Sequence, residues 1–369
     1  MQFVETTRED AITIAGRGDP AVLAVATAVP PFVLGQAEVI RRIDLALGPR
    51  SREIVRLLPM FGNTGVERRY SCVPIEWYED THDWPDRNAV YLDSAVGLLE
   101  KATSTAVERA GRRAEEIEAI VAVSTTGIAT PSLDALLMER MRLRPTVRRL
   151  PIFGLGCAGG VIGLERAAMV ARANPGALVL FLVVELCALC FRRDDFSKSN
   201  IVATALFGDG AAAALLSCDG EGPVVRGGGE FTWPESLDVM GWEVTGDGLK
   251  AIFSRDIPEL VTTRLHDVTA GFLSERGLTL RDIDRFVCHP GGAKVLDALA
   301  VAFEIEPQQL NEARDVLRDY GNMSAATVMF VLERTLASST PWKRALLSAL
   351  GPGFTAGFTL LENPTPVSS

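Results

Sequence analysis

Hydrophobic positions along the chain follow two alternating patterns. Residues 22–28, 119–123, 150–153 and 178–184 form short, nearly continuous apolar runs, which is the pattern of buried β-strands. Residues 88–110 and 158–173 instead repeat apolar side chains at helical spacing, and the first of these segments stops at Gly111, a residue type that commonly ends helices. Strands that alternate with helices in this way predict a layered α/β protein.

The second half of the chain repeats this order. Residues 282–289 resemble residues 116–123, residues 345–347 resemble the strand around residue 180, and the turn before a helix at Asn322 resembles the one at Cys157. An internal duplication is the economical explanation, with residues 221–248, rich in Gly, Trp and Pro, as the junction. We therefore predict two halves, residues 1–220 and 221–369, which share one core. We expect Cys157 and Asn322 at equivalent helix starts, converging on one site.

Composition narrows the class of protein. The chain has 369 residues, of which 47% are hydrophobic and 23% charged, so a disordered protein is excluded. A net charge of −10 argues against nucleic-acid binding. No signal-peptide pattern opens the chain, and the longest apolar stretch, residues 177–191, is interrupted by Glu185 and too short to cross a bilayer. We expect a cytoplasmic protein with reduced thiols and no transmembrane segment.

Cys157 is the strongest single candidate for chemistry. It follows a predicted strand, precedes a predicted helix, and has glycines at positions 154, 156, 159 and 160. Small neighbours let a ligand approach the backbone, and a helix start supplies free N–H groups that favour a thiolate. A buried structural cysteine in a tight turn would produce the same local pattern.

The same turn supports a second interpretation. Residues 154–159 read Gly-Leu-Gly-Cys-Ala-Gly, which matches the G-x-G-x-x-G pattern of dinucleotide-binding turns. Glu185, at the end of the next strand, would then be the acid that binds the ribose. The pattern lies in mid-chain, whereas dinucleotide-binding domains more often open with it. An NAD(P)-dependent oxidoreductase nevertheless stays an alternative.

Two further residues could act with the thiol. His289 ends a predicted strand and enters a Pro-Gly-Gly turn, which would hold its ring rigidly enough for acid–base work or hydrogen-bond donation. Asn322 begins a helix, a position that N-capping alone also explains. His82 and His266 lie in segments where a solvated or structural role is expected. No His or carboxylate pair has the spacing of metal ligands, so we expect no metal site.

Together these residues carry a family resemblance over nearly the whole chain. The sequence resembles the thiolase superfamily of condensing enzymes, and specifically the type III, chalcone synthase-like polyketide synthases. The motifs that carry this resemblance are Val22-Leu-Ala-Val-Ala-Thr-Ala-Val-Pro-Pro, Glu67-Arg-Arg-Tyr, Ser124-Thr-Thr-Gly, Gly156-Cys-Ala-Gly-Gly, Phe207-Gly-Asp-Gly-Ala, His289-Pro-Gly-Gly, Gly321-Asn-Met-Ser and Gly351-Pro-Gly-Phe.

The resemblance implies a five-layered αβαβα thiolase-like fold of two duplicated halves and a catalytic triad of Cys157, His289 and Asn322. Cys157 would accept a starter acyl group from coenzyme A, and His289 would help to keep the thiol ionised. His289 and Asn322 would then stabilise the enolate that forms when malonyl-CoA loses CO₂. The enolate would attack the Cys157 thioester. No cofactor is implied beyond the CoA thioester substrates, and a homodimer is expected.

Departures from the plant enzymes bear on the substrate. Phe207 matches the family's gatekeeper between the CoA tunnel and the acyl cavity, while Thr130 stands where plant enzymes insert a Met into the partner's cavity. Arg56 is a candidate CoA contact, but Pro59 and Asn63 replace cations. The other predicted substrate-binding residues are Cys187, Leu189, Cys190, Ala203 and Ala251 in the cavity wall, and Thr125, Thr126 and Ser324 near the site of ring closure.

The wall predicted in this way is wide and apolar. Ala251 replaces a cavity Phe, and the Met-Gly-Trp-Glu-Val segment at residues 240–244 resembles bacterial alkylresorcinol and alkylpyrone synthases. We expect a long-chain fatty acyl-CoA starter, malonyl-CoA as extender and an alkylpyrone or alkylresorcinol-type product. Alternatives are an aromatic or malonyl starter giving a naphthol or phloroglucinol, and a non-catalytic acyl-CoA-binding protein.

Overall fold

The fold alternates strands and helices from end to end. The computed structural model describes residues 18–47, 59–193, 195, 197–254 and 256–364. The first part contains β1 (Ala21–Ala28), β2 (Phe32–Gly35), α1 (Gln36–Leu47), α2 (Pro59–Gly62), β3 (Arg68–Ser71), α3 (Trp84–Arg109), β4 (Ile117–Val123), α4 (Leu133–Met141), β5 (Arg148–Ile152), α5 (Gly159–Ala173), β6 (Leu178–Leu186), α6 (Lys198–Leu206) and β7 (Asp209–Ser217). The second part contains β8 (Val224–Thr232), β9 (Met240–Thr245), β10 (Gly248–Phe253), α7 (Ile257–Ser274), β11 (Arg285–Cys288), α8 (Ala293–Ala302), α9 (Asn311–Tyr320), α10 (Thr327–Ala337), β12 (Arg344–Gly351) and β13 (Thr355–Glu362).

Nine strands form one mixed sheet in the order β11-β12-β13-β8-β1-β7-β6-β4-β5. β4 runs parallel to β5 and β6, and β11 runs parallel to β12, whereas the remaining neighbours are antiparallel. The sheet is narrowest between β1 and β8, which pair only at Ala21 and Val224. It therefore consists of a five-strand and a four-strand half, joined at that point.

Helices α5 and α10 lie between the two half-sheets. α5 packs on β4 and β6 from one side and on β8 and β13 from the other, while α10 packs on β1 and β11. α5 is apolar around most of its circumference, as a helix enclosed on both sides must be. α3 covers the outer face of the five-strand half, and α7 packs on β13 of the other half. This arrangement confirms the predicted layered α/β class.

Local signals explain where the outer helix begins. α3 starts at Trp84, four residues before the predicted segment, because the side chain of Asp83 accepts a hydrogen bond from the Asp86 N–H (2.9 Å). Pro85 occupies the first turn, where its missing N–H costs nothing. The capping signal was present in the sequence, whereas the apolar spacing alone placed the start too late.

The glycine-rich segment after residue 220, predicted as the junction between the halves, has regular structure. It contains β8, an interior strand of the sheet, followed by β9. A Cβ at Gly228 would overlap the Glu165 side chain, and one at Gly229 would overlap the ring of Phe272. The glycines therefore permit close approach of α5 and α7 to the strand.

Candidate active site

Cys157 lies in a 3₁₀ turn that leads directly into the central helix α5. The turn spans Gly156–Ala158, and Gly154 and Gly156 both have positive φ (+95° and +46°), a region that residues with a side chain avoid. A Cβ at Gly156 would stand 2.5 Å from Cδ of Pro352. The glycines therefore fix the path of the turn and place the thiol at the amino end of a buried helix.

His289 follows β11 directly, as the sequence predicted. Its backbone N–H donates to the Ser348 carbonyl on β12 (2.8 Å), which fixes the start of the turn. The side chain is 5% exposed, and neither ring nitrogen has a hydrogen-bond partner among the described residues. The ring is therefore positioned by packing and keeps both nitrogens free for a substrate or for the thiol.

The Asn322 side chain is held in one orientation. Its Oδ1 accepts a hydrogen bond from the Ser324 N–H (2.8 Å), and its Nδ2 donates to the Gly291 carbonyl (3.2 Å). One of the two Nδ2 hydrogens is then still free to donate. The backbone is fixed as well, because the Asn322 N–H donates to the Leu206 carbonyl (2.8 Å).

These three residues line one cavity of about 500 Å³. The thiol, the imidazole and the amide come from β5–α5, β11–α8 and α9–α10 connections, so the fold brings them together from residues far apart in sequence. Two cations, Lys198 at the start of α6 and Lys294 in α8, line the same cavity. Sequence reasoning missed both lysines, because nothing in the linear order placed those helices beside Cys157.

Burial favours the neutral forms of the thiol and the imidazole. It raises the pKa of Cys157 to about 11, and a hydrogen bond from the Ser324 hydroxyl offsets only part of this effect. Burial also lowers the pKa of His289 to about 4. Burial therefore opposes ionisation of both groups, and the expected ion pair would have to overcome this cost.

Three predicted residues lie behind the nucleophile instead of in the main cavity. Thr125 accepts a hydrogen bond from the Gly156 N–H (3.2 Å), and Thr126 donates to Glu185 (2.8 Å). Ser324 is buried against the Cys157 thiol. Glu185 accepts from the Thr125 N–H (3.0 Å), while its other oxygen is unpartnered, and burial raises the pKa of this carboxyl to about 8.

Glu185 also decides the dinucleotide alternative, which is wrong. The carboxyl of Glu185 is fully buried and faces Thr125 and Thr126, so no ribose could reach it. The glycines of the turn serve close packing: a Cβ at Gly160 would overlap the Ala325 carbonyl oxygen. His82 and His266 lie outside the cavity, each with a ring nitrogen against a backbone carbonyl (3.0 and 2.9 Å).

Four of the predicted substrate-binding residues form a separate apolar cluster. Cys187, Ala203, Phe207 and Ala251 are buried together, and Phe253 joins this cluster to the main cavity that it also lines. Cys187, Ala203 and Phe207 further line a second cavity of about 80 Å³. The remaining walls of that cavity are mainly apolar and include Leu34, Val39, Ile75, Tyr78 and Phe191.

The other predicted contacts are dispersed. Leu189, Cys190 and Thr126 border a recess of about 10 Å³, too small for a substrate group, so the structure does not bring them into the main cavity. Arg56 lies outside the described residues. Asn63 lines the main cavity without a charge, so the cations described there are Lys198 and Lys294.

Comparison with known proteins identifies the class of enzyme that this fold and site define. The N-terminal domain model of chalcone and stilbene synthases matches residues 7–220, and the C-terminal domain model matches residues 229–363. The chain belongs to the chalcone and stilbene synthase family. It is therefore a type III polyketide synthase, an acyltransferase with the thiolase-like fold.

Individual relatives cover almost the entire chain. A 1,3,6,8-tetrahydroxynaphthalene synthase of Streptomyces peucetius is 39% identical over 360 residues, covering 95% of this chain and 94% of the relative. A putative chalcone synthase of Bacillus subtilis is 36% identical over 357 residues, covering 92% and 98%. The crystal structure of the Streptomyces coelicolor 1,3,6,8-tetrahydroxynaphthalene synthase, a bacterial type III polyketide synthase, superposes with a TM-score of 0.88 at 30% identity, covering 94% and 99%.

Two further observations concern membranes and metal ions. No helix within the described ranges is both long and apolar enough to span a bilayer. The same residues contain no group of three or more His, Cys, Asp and Glu side chains that could hold a metal ion.

Proposed function

We propose that this polyketide synthase is a cytoplasmic enzyme that extends a long-chain fatty acyl-CoA starter with malonyl-CoA and closes the product to an alkylpyrone or alkylresorcinol-type ring. The convergence of Cys157, His289 and Asn322 on one cavity carries the proposal. The proposed chemistry needs a nucleophile, a base and hydrogen-bond donors, and no metal or organic cofactor.

The first step loads the starter. Neutral His289 accepts the proton of the Cys157 thiol as the sulfur attacks the acyl-CoA carbonyl, and the coenzyme A thiolate leaves. Because burial favours the neutral pair, proton transfer accompanies attack in this scheme. A buried imidazole whose nitrogens have no hydrogen-bond partner among the described residues is suited to that role.

The second step makes the new carbon–carbon bond. N–H groups of His289 and Asn322 donate to the thioester carbonyl of malonyl-CoA, and the carbon–carbon bond to the carboxylate breaks with loss of CO₂. The resulting enolate attacks the Cys157 thioester, whose sulfur leaves. Fixing the Asn322 amide through Ser324 and Gly291 supports this role, because a donor oriented in advance costs little reorganisation.

The cavity also suits the coenzyme. Its phosphates are anionic, and Lys198 and Lys294 supply positive charge on the lining of the main cavity. These lysines would take over from the cations that the family carries at positions occupied here by Pro59 and Asn63. We propose that both contribute to binding of acyl-CoA and malonyl-CoA.

The apolar cluster around Phe207 supports the long-chain starter. Small or apolar residues at Cys187, Ala203 and Ala251 surround Phe207, and two of them line with it the second cavity, whose walls are mainly apolar. Burial of each methylene contributes about 0.8 kcal/mol, so a long chain gains most from such a lining.

A malonyl starter with a naphthol product is the second candidate. The relatives named 1,3,6,8-tetrahydroxynaphthalene synthase in three Streptomyces species favour it. The two candidates differ in what fills the space beside Phe207, since a malonyl unit gains nothing from the apolar walls.

We further propose a homodimer. Leu150 and Phe153 are exposed at the free edge strand β5, Ile128 is exposed after β4, and Met169 is exposed on α5. An uncovered edge strand flanked by apolar side chains is typical of a surface that pairs with a second copy. Thr130 is exposed nearby, so a cross-subunit contact at that position is part of the same proposal.

Purified enzyme with a panel of acyl-CoAs and labelled malonyl-CoA tests these proposals. We expect labelled pyrones or phenols from long-chain starters, none with Cys157→Ala, and malonyl-CoA decarboxylation reduced about 10²–10³-fold in Asn322→Ala and His289→Ala. Labelled naphthol from malonyl-CoA alone would favour the second candidate. No labelled product with any starter would overturn the synthase proposal, and wild-type decarboxylation in either variant would remove that residue from the mechanism.

A further inference from the structure

Helix α6 is the wall between the two cavities. Lys198, Val202 and Leu206 face the main cavity with Cys157, whereas Ala203 and the following Phe207 face the smaller one. Whatever fixes the carboxyl end of this helix therefore fixes the boundary between the reacting centre and the apolar recess.

All four terminal carbonyls at the carboxyl end of α6 have hydrogen-bond partners. The last four carbonyls of a helix lack partners within the helix, and here each of the four from Thr204 to Phe207 accepts a hydrogen bond from elsewhere. Arg69 donates to Thr204, Ala205 (3.0 Å) and Phe207 (3.3 Å). The fourth carbonyl, that of Leu206, accepts from the Asn322 N–H (2.8 Å), and the Gly208 N–H donates back to the Asn322 carbonyl (3.0 Å).

Arg69 is a buried cation whose partners are uncharged. It is 2% exposed and forms no direct ion pair among the described residues, although the charge of the buried Asp209 carboxylate acts on it. Gln36 accepts from its guanidinium and donates to the Ala205 carbonyl (3.1 Å), which closes the arrangement. Burying a charge without a directly paired carboxylate is costly, and here the carbonyl end of a helix provides most of the hydrogen-bonding compensation, with the Asp209 charge nearby.

We propose that Arg69 is a positioning residue for the condensation. By holding three carbonyls at the end of α6, it fixes the Leu206 carbonyl and the Gly208 N–H, and these two groups set the backbone of Asn322. Decarboxylation of malonyl-CoA uses the side-chain amide of Asn322, whereas acylation of Cys157 does not. Loss of Arg69 should therefore impair decarboxylation more than acylation. The inference rests on the proposed role of Asn322 in the condensing reaction.

The test uses two variants of Arg69 and a matched control. Arg69→Gln removes the charge and most of the donors, and Arg69→Lys keeps the charge with a smaller reach. Arg276→Gln is the control, because Arg276 also donates to two backbone carbonyls, those of Phe272 (2.8 Å) and Gly228 (2.9 Å), outside both cavities. Asn322→Ala provides the reference for loss of the amide itself.

Three readouts follow on the full-length enzyme. Hydrogen exchange at the backbone N–H of Asn322 should accelerate at least tenfold in Arg69→Gln and stay unchanged in Arg276→Gln. Conversion of malonyl-CoA to acetyl-CoA without starter should fall at least tenfold in Arg69→Gln and less in Arg69→Lys. Arg69 also lines the second cavity, so single-turnover acylation of Cys157 is measured with acetyl-CoA, whose two-carbon acyl group does not need that cavity. Followed by intact mass, it should stay within threefold of wild type.

The outcomes are distinguishable. Unchanged exchange at Asn322 in a folded Arg69→Gln protein would overturn the inference, as would equal losses in both half-reactions. If Arg69→Gln does not fold, the same split is required of Arg69→Lys, and its absence there counts against the inference. If Asn322→Ala decarboxylates at the wild-type rate, the proposed function of Asn322 fails, and Arg69 then anchors the helix without serving the reaction.

Discussion

The turn that carries Cys157 and the turn that follows Asn322 have closely similar backbones and different chemistry. Each is a 3₁₀ turn, Gly156–Ala158 in one half and Ser324–Ala326 in the other, and each leads into a buried central helix. Each begins with a residue at positive φ, +46° at Gly156 and +45° at Ser324. By this correspondence the residue equivalent to Cys157 is Ala325, and Asn322 precedes it by three residues.

The expectation that Cys157 and Asn322 sit at equivalent helix starts is therefore wrong by about one turn. Cys157 lies within its 3₁₀ turn, close to the amino end of α5. Asn322 lies before its turn and is held by a backbone bridge to Phe207. The comparison teaches that the two halves share a frame but place their reactive groups at different points on it.

The largest expected effect concerns the close packing between the two turns. A Cβ at Gly160 would overlap the Ala325 carbonyl oxygen and stand 2.5 Å from Cγ1 of Val328. We expect Gly160→Ala to lower the free energy of unfolding by about 3 kcal/mol, because backbone must move to make room. Urea denaturation followed by circular dichroism measures the change.

The matched control is Gly97→Ala in α3. A Cβ at Gly97 meets nothing within 4 Å, so this substitution should raise the free energy of unfolding by about 0.5 to 1 kcal/mol. Equal effects of the two substitutions would show that the seam between the turns is looser than the structure indicates.

The second test concerns the charge state of the Cys157 thiol, the reactive group that the other turn lacks. With the pKa of Cys157 near 11 and that of His289 near 4, the thiolate fraction should rise about tenfold for each pH unit between 6 and 9. Iodoacetamide alkylation of Cys157, followed by peptide mass spectrometry, should show this slope. Cys157→Ala gives the background from the other cysteines. A rate independent of pH across this range would indicate a preformed ion pair instead.

The smallest expected effect concerns Ser324, the counterpart of Gly156. Its φ of +45° is costly for a residue with a Cβ, whereas glycine adopts it freely. Ser324→Gly and Ser324→Ala both remove the hydroxyl next to Cys157, so their difference isolates the backbone. In thermal unfolding, the free energy of unfolding of Ser324→Gly should be about 1 kcal/mol higher than that of Ser324→Ala. The reverse order would mean that the turn relaxes when the hydroxyl is lost.

Much of the site could be predicted from the sequence because the reactive residues sit where elements end. Cys157 and His289 directly follow turn and strand signals that periodicity and glycines reveal, and family motifs mark Asn322. Lys198 and Lys294 could not be found in this way, because which helix face meets a cavity depends on tertiary packing. Likewise, the glycines of β8 signal a close helix approach only when α5 and α7 are in place.

Thr125, Thr126 and Leu189 show the opposite limit. Family likeness placed them at the substrate, but in this chain they pack behind Cys157 or against a recess of about 10 Å³. Likeness fixes where a residue lies along a strand, and the neighbouring side chains decide whether it reaches the cavity.

The position of α5 between two half-sheets has a consequence for synthesis of the chain. α5 and Cys157 leave the ribosome well before β8, β12 and β13, the strands that complete their surroundings. At about 5–20 residues per second, the interval between Cys157 and Asn322 lasts roughly ten to thirty seconds. During that time the apolar helix α5 and the Cys157 thiol lack the strands of the second half that bury them. We therefore expect the nascent protein to expose the most apolar surface after Cys157 has been synthesised and before His289 and Asn322 have been.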